Sequence, residues 1–163
     1  GKNNELLWNI KSDMQKFKKL TTGNNNNAVI MGKNTYISLN NENGLSNRDN
    51  LILSKSLILD RLNGKNIVKS FNNISYLHDF IKLKNYDELW VIGGEQIYDL
   101  FLNSSSKLVI DNIYVTYIDE VFECDVKFPK IDKNKYIFVS KSIHENYDNN
   151  QFKIFDIKYT RKN

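Results

Sequence analysis

Residues 88–98 read ELWVIGGEQIY, and this stretch decides the fold class. Leu89 to Ile92 form a short apolar run without polar alternation, the pattern of a strand buried on both faces. The paired glycines Gly93 and Gly94 break it, and EQIYDLFL (95–102) resumes at helical spacing. The same grammar recurs upstream. AVIMG (28–32) is a second apolar run closed by a glycine, and KNTYISL (33–39) after it can form a brief helix. NLILS (50–54) and NIVK (66–69) are compact β-rich runs, and ISYLHDFIKL (74–83) has apolar residues at helical intervals. Short apolar strands alternating with helices imply a parallel sheet covered on both faces.

Toward the start, SDMQKFKKL (12–20) pairs Ser12 with Gln15 in a capping-box pattern, with Met14, Phe17 and Leu20 at helical spacing. Asp13 therefore falls in the first turn of a helix. Toward the end the pattern changes: NIYVTYID (112–119) reads as a strand, and KYIFVSKSIHEN (135–146) and QFKIFDIKYTR (151–161) as two long strands joined by the turn-rich YDNN (147–150). The expected architecture is one α/β domain over residues 1–163, with a mixed, mostly parallel central sheet flanked by helices and a C-terminal antiparallel hairpin. No linker or internal repeat divides it.

Bulk properties bound the function. The 163 residues, 40% hydrophobic and 26% charged, suit one globular core. A single cysteine, Cys124, excludes an internal disulfide framework, and with two scattered histidines it gives no zinc-ligand spacing, so no metal is expected. No apolar run approaches the roughly 20 residues of a membrane span, and GKNNELLWNI (1–10) lacks the basic-then-apolar order of a signal peptide. The expectation is a soluble, cytoplasmic chain. Its net charge of +4 favours an anionic partner such as a phosphorylated cofactor or a polycarboxylate. The densest basic cluster, QKFKKL (15–20), fits a solvated helix face around Phe17, which argues against nucleic acid. The asparagine tracts at 24–27, 40–50 and 148–150 read as turns and loop tips.

Four places could carry chemistry. Gly93 and Gly94, at a strand-to-helix turn, let backbone approach a ligand and favour a pyrophosphate at the helix N-terminus, although a plain turn explains them about as well. MGKNTY (31–36) offers a second such mouth with Lys33 and Thr35, and two cradles suit one dinucleotide. Asp13 can be simple helix-dipole complementation or, beside Trp8, Met14 and Phe17, a carboxylate lining an apolar pocket. Arg48, just ahead of a strand, is a surface residue or a bidentate clamp for a carboxylate.

In order along the chain, LLWNIKSDMQKF (6–17), VIMGKNTYISL (29–39), NRDNLILS (47–54), WVIGGEQIY (90–98), IYVTYID (113–119) and ECDVKFP (123–129) resemble the dihydrofolate reductases nearly end to end. FECDVKFP (122–129) and the long hairpin are similar to the reductase domain of bifunctional dihydrofolate reductase–thymidylate synthases, which makes fusion to, or association with, a thymidylate synthase an implied partnership. The resemblance implies NADPH-dependent reduction of 7,8-dihydrofolate to tetrahydrofolate, supporting one-carbon metabolism and thymidylate synthesis, and makes the chain an antifolate target. Asp13 takes the pterin-binding acid position with Thr116 supporting it, and Trp8 belongs to a loop that closes over the nicotinamide. Phe17 and Leu45 pack on the aminobenzoyl ring, Arg48 clamps the glutamate carboxylate, and Ile92 offers its carbonyl to the pterin. Gly32, Lys33, Thr35, Ser54, Lys55, Gly93, Gly94, Glu95 and Tyr98 fall where the family binds its cofactor, with Lys33 and Lys55 favouring the 2′-phosphorylated form.

Departures accompany the match. The family begins with a central strand ahead of the glycine that here is Gly1, so the expected fold has that first strand absent from the chain. Leu7 and NNENG (40–44) stand where prolines are usual, and Lys33 and Lys55 where arginine or hydroxyl residues are common. The alternatives are a pyrimidine reductase of riboflavin synthesis, which leaves the ordered pair Asp13 and Arg48 unexplained, and a non-catalytic nucleotide-binding module.

Overall fold

The computed structural model describes residues 1–3, 5, 10–103, 107–144 and 153–163. They fall into two compact units, residues 18–108 and residues 1–17 with 109–163. Helix α1 (Lys11–Thr22) contributes to both.

The larger unit is built on β1 (Ala28–Gly32), β2 (Asp49–Leu53), β3 (Asp60–Asn63), β4 (Asn66–Phe71) and β5 (Leu89–Gly93), in the order β3-β4-β2-β1-β5. Pairings β4·β2, β2·β1 and β1·β5 are parallel, and β3·β4 is antiparallel. Helices α2 (Lys33–Ser38), α3 (Ile74–Lys84) and α4 (Glu95–Asn103) follow β1, β4 and β5 and pack back on the sheet. Burial is continuous over Ala28–Met31, as a strand covered on both faces requires. Val29, Met31, Ile52 and Val68 form one core face with Tyr36 and Leu59, while the alternate residues Ile30 and Leu51 are equally buried on the other.

In this unit the expected strands and helices occur within one or two residues of the sequence reading, whereas the strand expected to run to 146 ends at Ile143 and the one expected from 151 begins at Ile154. Strand β3 was not expected: DRLN is short and polar, with alternate residues exposed, and is held as an edge by the ladder from Asp60↔Lys69 to Asn63↔Asn66. The capping box is corrected. Ser12 is the second residue inside α1, not its cap, and its hydroxyl faces His144.

The smaller unit carries β6 (Asn112–Ile118), β7 (Tyr136–Ile143) and β8 (Ile154–Arg161) in the antiparallel order β6-β8-β7. Ile10, Ile118 and Ile154 form its buried cluster with Phe122 against it. The expected hairpin is thus β7·β8, and the YDNN turn lies outside the described residues.

Candidate active site

In the smaller unit the first turn of α1 lies against β6 and β8. Thr116 Oγ1 donates to Asp13 Oδ1 at 2.7 Å, joining residues 103 positions apart in the chain. Both are half-buried, and among the described residues Asp13 Oδ2 has no hydrogen-bond partner. The arrangement is a carboxylate at the positive end of a helix, steadied on one oxygen and open on the other. Such a group can accept a pair of N–H donors from a planar heterocycle. Phe17 stands one turn further along α1, half-buried; Trp8 lies outside the described residues.

Beside this pair stands a network that sequence reasoning missed. Ser12 Oγ lies 3.0 Å from His144 Nε2, His144 Nδ1 lies 3.0 Å from each Asp156 oxygen, and Lys16 Nζ lies 2.6 Å from Asp156 Oδ1. The two histidines show no metal-ligand spacing, and nothing in the local sequence of His144 announces a partner 132 residues away.

In the larger unit, the carboxyl ends of β1, β2 and β5 lie at one sheet edge, since Gly32 is registered with Leu53 and Met31 with Gly93. This edge is where open α/β sheets take their ligands. It gathers Gly32, Lys33, Thr35, Ser54, Lys55, Gly93, Gly94 and Glu95. Gly93 is held to glycine by its backbone, and Gly32 is closely packed. Gly93 has φ +118°, and a Cβ there would sit 3.2 Å from the Tyr98 ring; a Cβ at Gly32 would meet Ile97 Cγ1 at 3.0 Å. A Cβ at Gly94 would lie 3.6 Å from Thr35 Oγ1, so the two glycine turns are neighbours. A cis peptide joins Gly93 to Gly94. Lys33 Nζ donates to Ser56 Oγ at 3.1 Å, and Ser54 Oγ accepts from the Leu57 amide at 3.1 Å, so the turn after β2 carries hydroxyls and cations to this edge. Burial pushes the Tyr98 phenol up to about 12 and keeps it neutral.

Ile92 is half-buried on β5 and is the residue the ladder skips: Ile30 pairs with Val91 and Met31 with Gly93. A bulge there turns backbone groups out of the ladder. Arg48 and Leu45 lie at the opposite end of β2, so the larger unit separates them from the glycine edge by the five-residue strand. Arg48 is 2% exposed; its Nε donates to Ser46 O and its Nη1 to Thr21 Oγ1, both at 2.8 Å. Both acceptors are neutral, and burial lowers its pKa. Leu45 packs on the core, and its loop is held by Asn50, which accepts from Leu45 N at 2.8 Å and donates to Leu45 O at 2.9 Å. Asn50, 1% exposed, closes an asparagine tract and opens the expected strand NLILS; its side chain is a buried staple.

Among the described residues no helix is long and apolar enough to cross a membrane, and no three His, Cys, Asp or Glu side chains are grouped to hold a metal.

The family model described as dihydrofolate reductase matches residues 1–161. The chain is 37% identical over 142 residues to the viral dihydrofolate reductase of Saimiriine herpesvirus 2 (strain 488), covering 83% of this chain and 65% of that protein. It is 30% identical over 164 residues to the dihydrofolate reductase of Bacillus subtilis (strain 168), covering 100% of this chain and 88% of that enzyme. It is 32% identical over 145 residues to bifunctional dihydrofolate reductase-thymidylate synthase 2 of Arabidopsis thaliana, covering 83% of this chain and 25% of that protein. The chain belongs to the dihydrofolate reductase family of oxidoreductases.

Proposed function

We propose that this protein reduces 7,8-dihydrofolate to 5,6,7,8-tetrahydrofolate with NADPH, feeding one-carbon metabolism in the cytoplasm, and that residues 1–163 form one such domain. The observation that carries the reading is the Asp13–Thr116 pair, a helix-terminal carboxylate with one oxygen steadied and the other open. A pterin presents a ring N–H and an exocyclic amine side by side, and a carboxylate matches them as a bidentate acceptor. The bulge at Ile92 supports its carbonyl as a further acceptor for the pterin. The buried Arg48 guanidinium, which has only neutral acceptors among the described residues, supports a clamp on the glutamate carboxylate, because a buried cation is stabilised by an anionic partner. Phe17 and Leu45 are the apolar candidates for the aminobenzoyl ring.

The glycine edge fits the cofactor. Gly32, Gly93 and Gly94 leave backbone approachable, Glu95 and Thr35 stand at helix starts, and Ser54, Lys33 and Lys55 supply hydroxyl and cationic contacts for phosphate. The lysines would meet a 2′-phosphate as point charges. When bound, NADPH supplies the hydride for C6. Asp13 binds and polarises the pterin while water delivers the proton to N5, Thr116 keeps the carboxylate oriented, and the family resemblance assigns Trp8 to the exclusion of bulk water. Fusion to, or association with, a thymidylate synthase is part of the same proposal, supported by the bifunctional relative. The test is NADPH consumption by the purified protein with dihydrofolate present and absent. Dihydrofolate-dependent consumption, abolished by methotrexate, is expected; no dependence on dihydrofolate would refute the reading.

A further inference from the structure

Asp13 meets the sheet of its unit through one hydrogen bond among the described residues, to Thr116. Ile10, just ahead of α1, already packs on Ile118 and Ile154, and polar contacts add to that apolar anchor by setting how the first turn of α1 rests on the sheet. The Ser12–His144–Asp156–Lys16 network does this. Ser12 and Lys16 are four residues apart and share a helix face. Lys16 reaches Asp156, and Ser12 reaches His144, which leans on the same Asp156. Asp156 pairs with Thr116 across β6·β8 and with Ser142 across β7·β8, so Thr116 and Asp156 project from the same sheet face. The helix turn is therefore attached to this row directly at Asp13 and Lys16, and at Ser12 through His144, which leans on Asp156.

A carboxylate with both oxygens 3.0 Å from Nδ1 calls for a proton on that nitrogen, and Nε2 shares a hydrogen bond with the Ser12 hydroxyl at 3.0 Å. Serine, histidine and aspartate in this order are also the arrangement of a hydrolytic triad. Burial decides against that role: Ser12 is 7% and His144 6% exposed, so an acyl substrate has no access to Oγ.

We infer that His144, oriented by Asp156 and acting through Ser12, is a positioning residue that holds the first turn of α1 so that Asp13 stays on Thr116. The inference rests on the proposed pterin-binding role of Asp13. The variants are Ser12→Ala and His144→Gln, with Ser12→Thr as the hydroxyl-retaining rescue and His78→Gln on α3 as control. In steady-state assays the first two lower kcat for dihydrofolate roughly tenfold and leave the NADPH Kd unchanged, while Ser12→Thr and His78→Gln stay near wild type. If His144→Gln does not fold, the Ser12 pair decides. In aspartate labelled with carbon-13 at the carboxyl, the Asp13 resonance moves in Ser12→Ala and stays in place in His78→Gln. Wild-type kcat with an unmoved Asp13 resonance in Ser12→Ala would overturn the inference, as would equal losses of kcat and NADPH affinity. A wild-type protein inert toward dihydrofolate would defeat the proposed function instead, and the resonance would still decide the positioning claim.

Discussion

Arg48 shows how a single residue acquires a role from its surroundings. Its guanidinium is buried on Ser46 O and Thr21 Oγ1, neither of which carries charge, and desolvation lowers its pKa. A ligand carboxylate would supply the missing counter-charge. Arg48→Lys removes the planar fork and is expected to raise the KM for dihydrofolate about tenfold or more while leaving NADPH affinity intact. Unchanged steady-state KM would show that the guanidinium serves only its loop. Thr116→Val removes the hydroxyl that steadies Asp13 and is expected to lower kcat about tenfold, a loss of the size of one hydrogen bond to a charged group.

At the scale of elements, the glycine edge and the Asn50 staple make separate demands. A Cβ at Gly93 would meet the Tyr98 ring at 3.2 Å from a backbone at φ +118°, so Gly93→Ala is expected to weaken NADPH binding at least tenfold in a fluorescence titration. Asn50 pins the loop bearing Leu45 and Arg48 through Leu45 N and O and Arg48 O. Asn50→Ala leaves those groups unsatisfied and is expected to destabilise the protein by about 2–3 kcal/mol in urea denaturation, with a raised dihydrofolate KM. The apolar strands and their glycine stops were legible because burial on both faces writes itself as an unbroken run, as in AVIMG and ELWVIGG. Strand β3 was not, since DRLN gains its state from pairing with β4. Asparagine was half legible. Asn25, Asn40, Asn47 and Asn85 adopt positive φ as turn residues do, whereas Asn27 and Asn50 are buried connectors. Asn27 donates to Thr21 O and accepts from Glu88 N, partners that only the folded chain brings near.

For the whole molecule, alkaline stability reports on the glycine edge. Tyr98 titrates at about 12 instead of 10.0 because burial disfavours its phenolate. A folded pKa above the unfolded one contributes stability that is complete below pH 10.0 and is lost as pH rises toward about 12, an amount on the order of 2 kcal/mol. Tyr98→Phe should lessen the fall in stability across that window, measured by chemical denaturation, and leave the part due to Tyr86 and Tyr136, whose phenols burial also raises. The site as a whole was legible only in part. Its candidates came from short motifs and the resemblance, whereas the His144–Asp156 support depends on strand pairing that no local pattern carries. The central claim, that the Asp13 carboxylate binds and polarises the pterin for reduction, is tested most directly by Asp13→Asn in an NADPH-oxidation assay with dihydrofolate. The expected result is a kcat lowered about a hundredfold or more with the NADPH Kd within about twofold of wild type. A kcat equal to that of the wild type would contradict it.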